Sequence, residues 1–431
     1  MMNKTKYLTR LFSVILIVNV FAACSDSEKY YTGPRTQGGS LEEVNTGLPK
    51  VVINTPEAQP IVSKETWMEN ATLTIYDTDG SVSYQGTTQV KGRGNSTWGY
   101  PKKPYALKLD KKSVILGMPK HKRWCLLANF MDRTMIRNDV SFELARQMKA
   151  LDYTPQGRFV ELFLNGVHVG NYYLCEQIKV DENRVDVAEL DETATSGLAI
   201  TGGYIMEIDS HFDEAFRFMS QYAALPWQCK DPDEVNEAQF AYIQDYVNEM
   251  ESTLYDPVRF NNRDFVTYMD LESFADWWIV YELTMNYETR EPNSCFMHKD
   301  IDTADGPSKM KAGPVWDFDY GTYLPEHTYQ FRTKYDLYYP RLFEDEAFRQ
   351  LVKERWELLK EADVLNYMLA YIDKDEILLE ASDVLNASMW PITSEDAVNK
   401  DTILDFHDAV KRLKQTFTQR YIWLDSAINN L

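Results

Sequence analysis

The chain is poor in cysteine and histidine and lacks the short motifs of several common enzyme classes. Its 431 residues hold 5 Cys and 6 His. No CxxC pair occurs, which argues against a zinc site. HExxH and other paired His spacings are absent, which disfavours a metalloprotease, and the lack of GxSxG disfavours a lipase-type nucleophile. Neither GxGxxG nor GxxxxGK followed by Ser or Thr is present, so Rossmann and P-loop readings fail. Beyond the N-terminal region no apolar run approaches the roughly 18 residues of a membrane-spanning helix. Basic residues are outnumbered, 45 against 66 acidic, for a net charge of −21. That balance argues against a general nucleic-acid or anionic-membrane binder, because phosphate backbones would be repelled.

What is abundant is apolar and aromatic: 44% hydrophobic residues, with 10 Trp and 27 Tyr. Such a chain has material for a large core, and the rings read first as core filling. The N-terminus combines Lys4, Lys6 and Arg10 with an apolar run from Leu11 to Phe21 and then Ala22-Ala23-Cys24. This pattern predicts a lipoprotein signal peptide over 1–23, with Cys24 as the lipid-bearing first residue of an outer-membrane lipoprotein on its periplasmic or cell-surface side. Ser25-Asp26-Ser27-Glu28 is similar to the export signal of Bacteroidetes surface lipoproteins. Residues 24–48 read as a flexible spacer. Cys125 and Cys175 sit in apolar, strand-like runs and are expected to be buried free thiols; the sequence leaves the state of Cys229 and Cys295 open.

Periodicity divides the remainder into a β-rich part, 49–233, with one helix, and a mainly helical part, 234–431. Alternating apolar residues predict strands at Val51–Ile53, Ala71–Tyr76, Ser81–Val90 and Pro104–Asp110, and a hairpin at Phe159–Cys175 turning on Asn165-Gly166. Another strand is expected over Gly202–Asp209. A helix capped by Asp132 is expected over 133–149. Further helices are expected over 236–254, 264–285, 344–361, 363–386 and 401–430. The fold class is therefore α+β.

Two segments carry chemistry. Gly313-Pro-Val-Trp-Asp-Phe-Asp-Tyr-Gly321 sets Asp317 and Asp319 two residues apart, where a strand would present both carboxylates to one side and invite a shared cation. Upstream, Glu288-Thr-Arg-Glu-Pro-Asn293 repeats the five-residue interval between the catalytic Asp and the metal-holding Asn of protein kinases. The segment 286–325 thus interrupts the helical half as a site for magnesium and a nucleotide phosphate. Residues 91–137 hold twelve Lys and Arg against Asp110 and Asp132. They surround Lys91-Gly-Arg-Gly-Asn-Ser-Thr97, whose glycines allow close backbone approach to an anion while Arg93 offers a phosphate-matching fork. A plain turn and a solvated basic face remain the bland alternatives.

Six ordered motifs carry a resemblance. They are Arg93-Gly-Asn-Ser-Thr-Trp98, Pro101–Asp110, Leu116–Lys120 with Trp124–Asn129, Asp132–Asn138, Phe163–Tyr173 and Trp316–Gly321, and together they closely resemble the spore coat protein H (CotH) kinase family over roughly 50–345. The resemblance implies an atypical protein-kinase-like bilobal fold that uses ATP with Mg²⁺ or Mn²⁺ to phosphorylate secreted or surface proteins. It implies Asn293, Asp317 and Asp319 as metal ligands, Glu288 as base or orienter, and Lys108 as partner of the α/β-phosphates. Arg93, Lys102 and Lys103 would be further phosphate contacts, and Glu143 would orient Lys108. Where family members usually carry Asn-x-Asp, this chain reads Asn286-Tyr-Glu288. Glu is one methylene longer, and a misplacement of about 1 Å can cost on the order of 100-fold in rate. An inactive, surface-anchored binding protein is therefore the alternative reading, and a glycosidase using paired carboxylates a third.

Overall fold

A computed structural model describes residues 39–431, so the expected signal peptide over 1–23 and Cys24 lie outside the described residues. Seven strands form a closed barrel: β1 (Lys50–Asn54), β2 (Met68–Tyr76), β3 (Val82–Gly92), β4 (Tyr105–Ile115), β5 (Met118–Leu127), β6 (Gly157–Leu164) and β7 (Val167–Glu176). Their order is β1-β2-β3-β4-β5-β7-β6, and a parallel β6–β1 pairing closes the ring and leaves no edge strand. Alternation explains the barrel. Val51, Ile53, Leu73, Ile75, Leu107, Leu109, Trp124, Leu126, Leu162 and Leu174 point inward and form one core. Burying each such aliphatic side chain contributes about 1.5–3 kcal/mol. The β6–β7 hairpin turns on Asn165 (φ 51°) and Gly166 (φ 78°), the left-handed pair that a two-residue turn requires.

The opposite face of β5–β7, with Cys125, Leu127, Phe159, Tyr173 and Cys175, belongs to a second, larger core. That core runs through a five-stranded sheet of β8 (Tyr204–Ile208), β9 (Arg217–Met219), β10 (Pro226–Asp231), β11 (Cys295–Lys299) and β12 (Lys311–Ala312), in the order β12-β11-β8-β10-β9. Among the described residues six helices have ten or more residues: α1 (Arg137–Arg146), α2 (Glu237–Tyr255), α3 (Leu271–Thr284), α4 (Glu346–Glu361), α5 (Val364–Met389) and α6 (Phe406–Asn429). Helix α3 is apolar around most of its circumference and is buried from Ser273 to Thr284, as such a composition demands. The architecture is α+β.

Several boundaries differ from the expectations, each for a local reason. Helix α1 starts at Arg137, because Asp132 spends its carboxylate on the N–H groups of Thr134 and Arg137 and on the Arg137 guanidinium. Asp401, expected to open the last helix, instead pairs with Arg137, and Asp405 caps α6. The 264–285 segment breaks into a short turn, Asp264–Thr267, and α3, which Asp270 caps through the Ser273 N–H. Residues 313–320 form no strand: Asp317 is left-handed (φ 55°).

Candidate functional site

A cavity of about 580 Å³ lies between the barrel rim at 91–97 and the end of β8, and the segments 288–294 and 316–320 complete its wall. The Trp316–Gly321 loop owes its shape to neighbours rather than to a ladder. Trp316 stacks on Phe142 with centroids 5.6 Å apart, and Phe318 meets the same ring edge-on at 6.1 Å. The Phe318 N–H donates to Asn138 Oδ1 (2.8 Å), and Asn286 Nδ2 donates to the Asp317 carbonyl (3.0 Å). Gly321 (φ 69°) is required, since a Cβ there would meet Tyr287 Cβ at 2.6 Å. With both rings sunk into the core, Asp317 and Asp319 line the cavity.

The acids there are short of cations. Burial raises the Glu288 carboxyl to about 8, and repulsion from Asp317 adds to it, while the Asn293 side chain opposes the shift through a hydrogen bond. Asp319 rises to about 7 through burial and then Asp317. Asp317 is also raised by burial, against the pull of Arg93 and of the Ser294 hydroxyl, which donates to it at 2.9 Å. Asn293 lines the same cavity, its Oδ1 accepting from the Ser210 hydroxyl at 2.6 Å.

Arg93 is the complementary group. Its guanidinium lies 5.4 Å over the Trp316 ring and within the field of Asp317 and Asp319. No hydrogen bond or ion pair to it occurs among the described residues. Lys102 also lines the cavity, but donates to the carbonyls of Ala128 (2.8 Å) and Asn171, and burial pulls it down to about 7.

The other predicted site residues are placed elsewhere. Lys103 donates to the Trp98 carbonyl (2.6 Å) and is outside the cavity lining. Lys108 shares the outward face of β4 with Ala106, which lines the cavity, but itself stands farther along the strand, paired in register with Gln89 and Arg123. Glu143 holds Arg146 (2.8 Å), Gln147 (2.8 Å) and Tyr367 (2.6 Å) and makes no pair with Lys108. The Lys108–Glu143 pairing expected from the resemblance is thus absent, because α1 turns Glu143 toward α5.

Three lining groups went unassigned in the sequence. Asp209, at the end of β8, accepts from the His211 N–H (2.7 Å) and the Ser294 N–H (3.3 Å). Glu207, two residues earlier on the same strand face, is raised to about 7 by burial. Their spacing in Tyr-Ile-Met-Glu-Ile-Asp209 is the period-two signal that would have found them. Lys179, just past β7, is held by Asp231 (2.9 Å) and Asp233 (2.7 Å) and carries no such signal.

The donor set is hard oxygen, suited to Mg²⁺ or Mn²⁺. Among the described residues no three His, Cys, Asp or Glu side chains make a ready cage for a metal ion. No curated protein matches the chain. Residues 90–424 match the family model described as CotH kinase protein, and the chain belongs to that family.

Proposed function

We propose that this protein is an atypical kinase that transfers phosphate from ATP, with Mg²⁺ or Mn²⁺, to a secreted or surface protein. In this reading the barrel is one lobe, the helical remainder the other, and the cavity the cleft of a kinase-like bilobal fold. The observation that carries it is the mismatch within one cavity: among the described residues Arg93 makes no ion pair or side-chain hydrogen bond there, and its pull on Asp317 and Asp319 does not keep burial from raising both, with Glu288, toward neutrality. A metal–nucleotide complex answers both needs at once. Membership of the CotH kinase family supports the same reading.

Asp317 and Asp319 would hold the metal, with Asn293 beside them, and Arg93 would take the phosphates. When bound, the metal with ATP supplies the transferable phosphoryl group and neutralises charge on it. Glu288 receives the proton of the acceptor hydroxyl. Burial first and then Asp317 hold that carboxyl toward its neutral form, and a cation beside Asp317 would relieve the second of these. In this reading a lipid tether at Cys24 would hold the activity outside the cytoplasm, at the outer membrane. Among the described residues no helix is long and apolar enough to cross a membrane.

Transfer of radiolabel from ATP to the protein itself or to a generic acceptor, with Mn²⁺ present, tests the reading. Label transfer that disappears in Asp317→Asn supports it. Saturable ligand binding without any transfer would favour the inactive binding protein instead.

A further inference from the structure

The second core holds a pair of buried thiols, Cys125 and Cys175, both free in this structure as the sequence predicted. Cys125 on β5 and Cys175 on β7 are Cα partners in the antiparallel ladder. Such partners stand about 4.5–5.5 Å apart, inside the span of roughly 4.4–6.8 Å that a disulfide bridges. Both side chains leave the barrel on the same face, since their neighbours Trp124, Leu126 and Leu174 fill the interior. Their flanks in the same row are small: Ala106 stands across from Cys125 on β4, and Gly157 across from Cys175 on β6. Arg93 is close enough for its charge to act on both sulfurs.

We propose that Cys125 and Cys175 form a disulfide in the oxidising compartment to which the chain is directed. The compartment rests on the function proposed above; the geometry of the pair does not. The other two thiols lack this relation. Cys229 lies on β10 and Cys295 on β11, with β8 between them, and each donates to a nearby carbonyl, of Pro232 and Asn293 respectively.

The chemistry is two thiol–disulfide exchanges with a disulfide oxidant, either a small molecule or a thiol oxidoreductase. One cysteine of the pair loses its proton, and its thiolate attacks one oxidant sulfur, forms a mixed disulfide and expels a thiolate. The other cysteine then gives up its proton and attacks the first cysteine's sulfur, expelling the second thiolate. Two electrons and two protons pass from the pair to the oxidant. Both cysteines are buried to within 1% of full enclosure, so the exchange belongs to folding, before the second core closes.

The full chain, exported to the periplasm of a host, is denatured and alkylated without reductant, digested and mapped by mass. Cys125 and Cys175 are expected in one linked peptide pair, lighter by two hydrogens than the separate peptides, with Cys229 and Cys295 alkylated. Alkylation of both Cys125 and Cys175, or a link from either to another cysteine, overturns the proposal.

Discussion

The Ser294 hydroxyl donates to the Asp317 carboxylate at 2.9 Å, tying the segment that carries Glu288 to the loop that carries both Asp residues. Ser294 reaches it from a left-handed backbone (φ 51°), with its own N–H directed to Asp209. Three stretches of chain more than twenty residues apart are thereby fixed on one side of the cavity. Hydrogen bonds to charged groups contribute about 1.5–3 kcal/mol. Ser294→Ala should therefore weaken Mn²⁺ binding roughly tenfold or more, read by calorimetric titration, while the circular dichroism spectrum stays unchanged. Unaltered Mn²⁺ affinity would remove this bond from the account.

The raised carboxyls also set a pH dependence. Glu288 at about 8 and Asp319 at about 7 bind protons in the folded state that the unfolded chain has already released. Their protonated forms are the stable ones, so folded stability falls as pH rises from the ordinary carboxylate range through those values. The metal-free protein should melt progressively lower between about pH 5 and 8, and Mn²⁺ should restore most of the loss at the upper end. A melting temperature that ignores Mn²⁺ throughout this range would count against a cation at Asp317 and Asp319.

A second acid pair lies away from the cavity. Asp375 on α5 faces Asp139 on α1, and Asp139 also accepts from the hydroxyls of Tyr173 and Tyr371. Burial first, then Asp139, pushes Asp375 up to about 9, and its Oδ2 has no hydrogen-bond partner. The same sign applies, so this proton is stabilising at neutral pH and is lost as pH rises through that value, at up to about 1.4 kcal/mol per pH unit. Asp375→Asn should flatten the decline in urea-unfolding midpoint between about pH 4 and 9. An identical slope in the variant would show that the pair does not share a proton.

Helix α6 is fastened by a buried ion pair. Arg420 meets Glu282 of α3 and donates to the carbonyls of Thr328 (3.0 Å) and Gln330 (2.7 Å), while Glu282 also accepts the N–H groups of Arg332, Thr333 and Lys334. Arg420→Met leaves Glu282 without its ion-pair partner, a loss of about 3–5 kcal/mol. Denaturant unfolding measures it, and the double variant with Glu282→Gln should recover part of the loss.

The barrel's inward rows and the β6–β7 hairpin were legible because period-two alternation and Asn165-Gly166 are local signals. The Trp316–Gly321 loop was legible as chemistry but not as geometry: its two Asp residues reach the cavity because Phe142 and Asn138 anchor the residues between them, and both are distant in sequence. Lys108 shows the converse limit. Alternation gives the face of β4, and the cavity covers only the end of that face, at Ala106. Asp209 stood in plain view two residues after Glu207, yet its meaning depends on Ser294 arriving from another strand's approach.

The central claim, that this cavity takes a metal–nucleotide complex, is tested most directly by titrating ATP into the full chain with and without Mn²⁺. Saturable binding that requires Mn²⁺, falls in Arg93→Met and vanishes in Asp317→Asn is the predicted result. Binding that is absent, or that persists unchanged in Asp317→Asn, would contradict it.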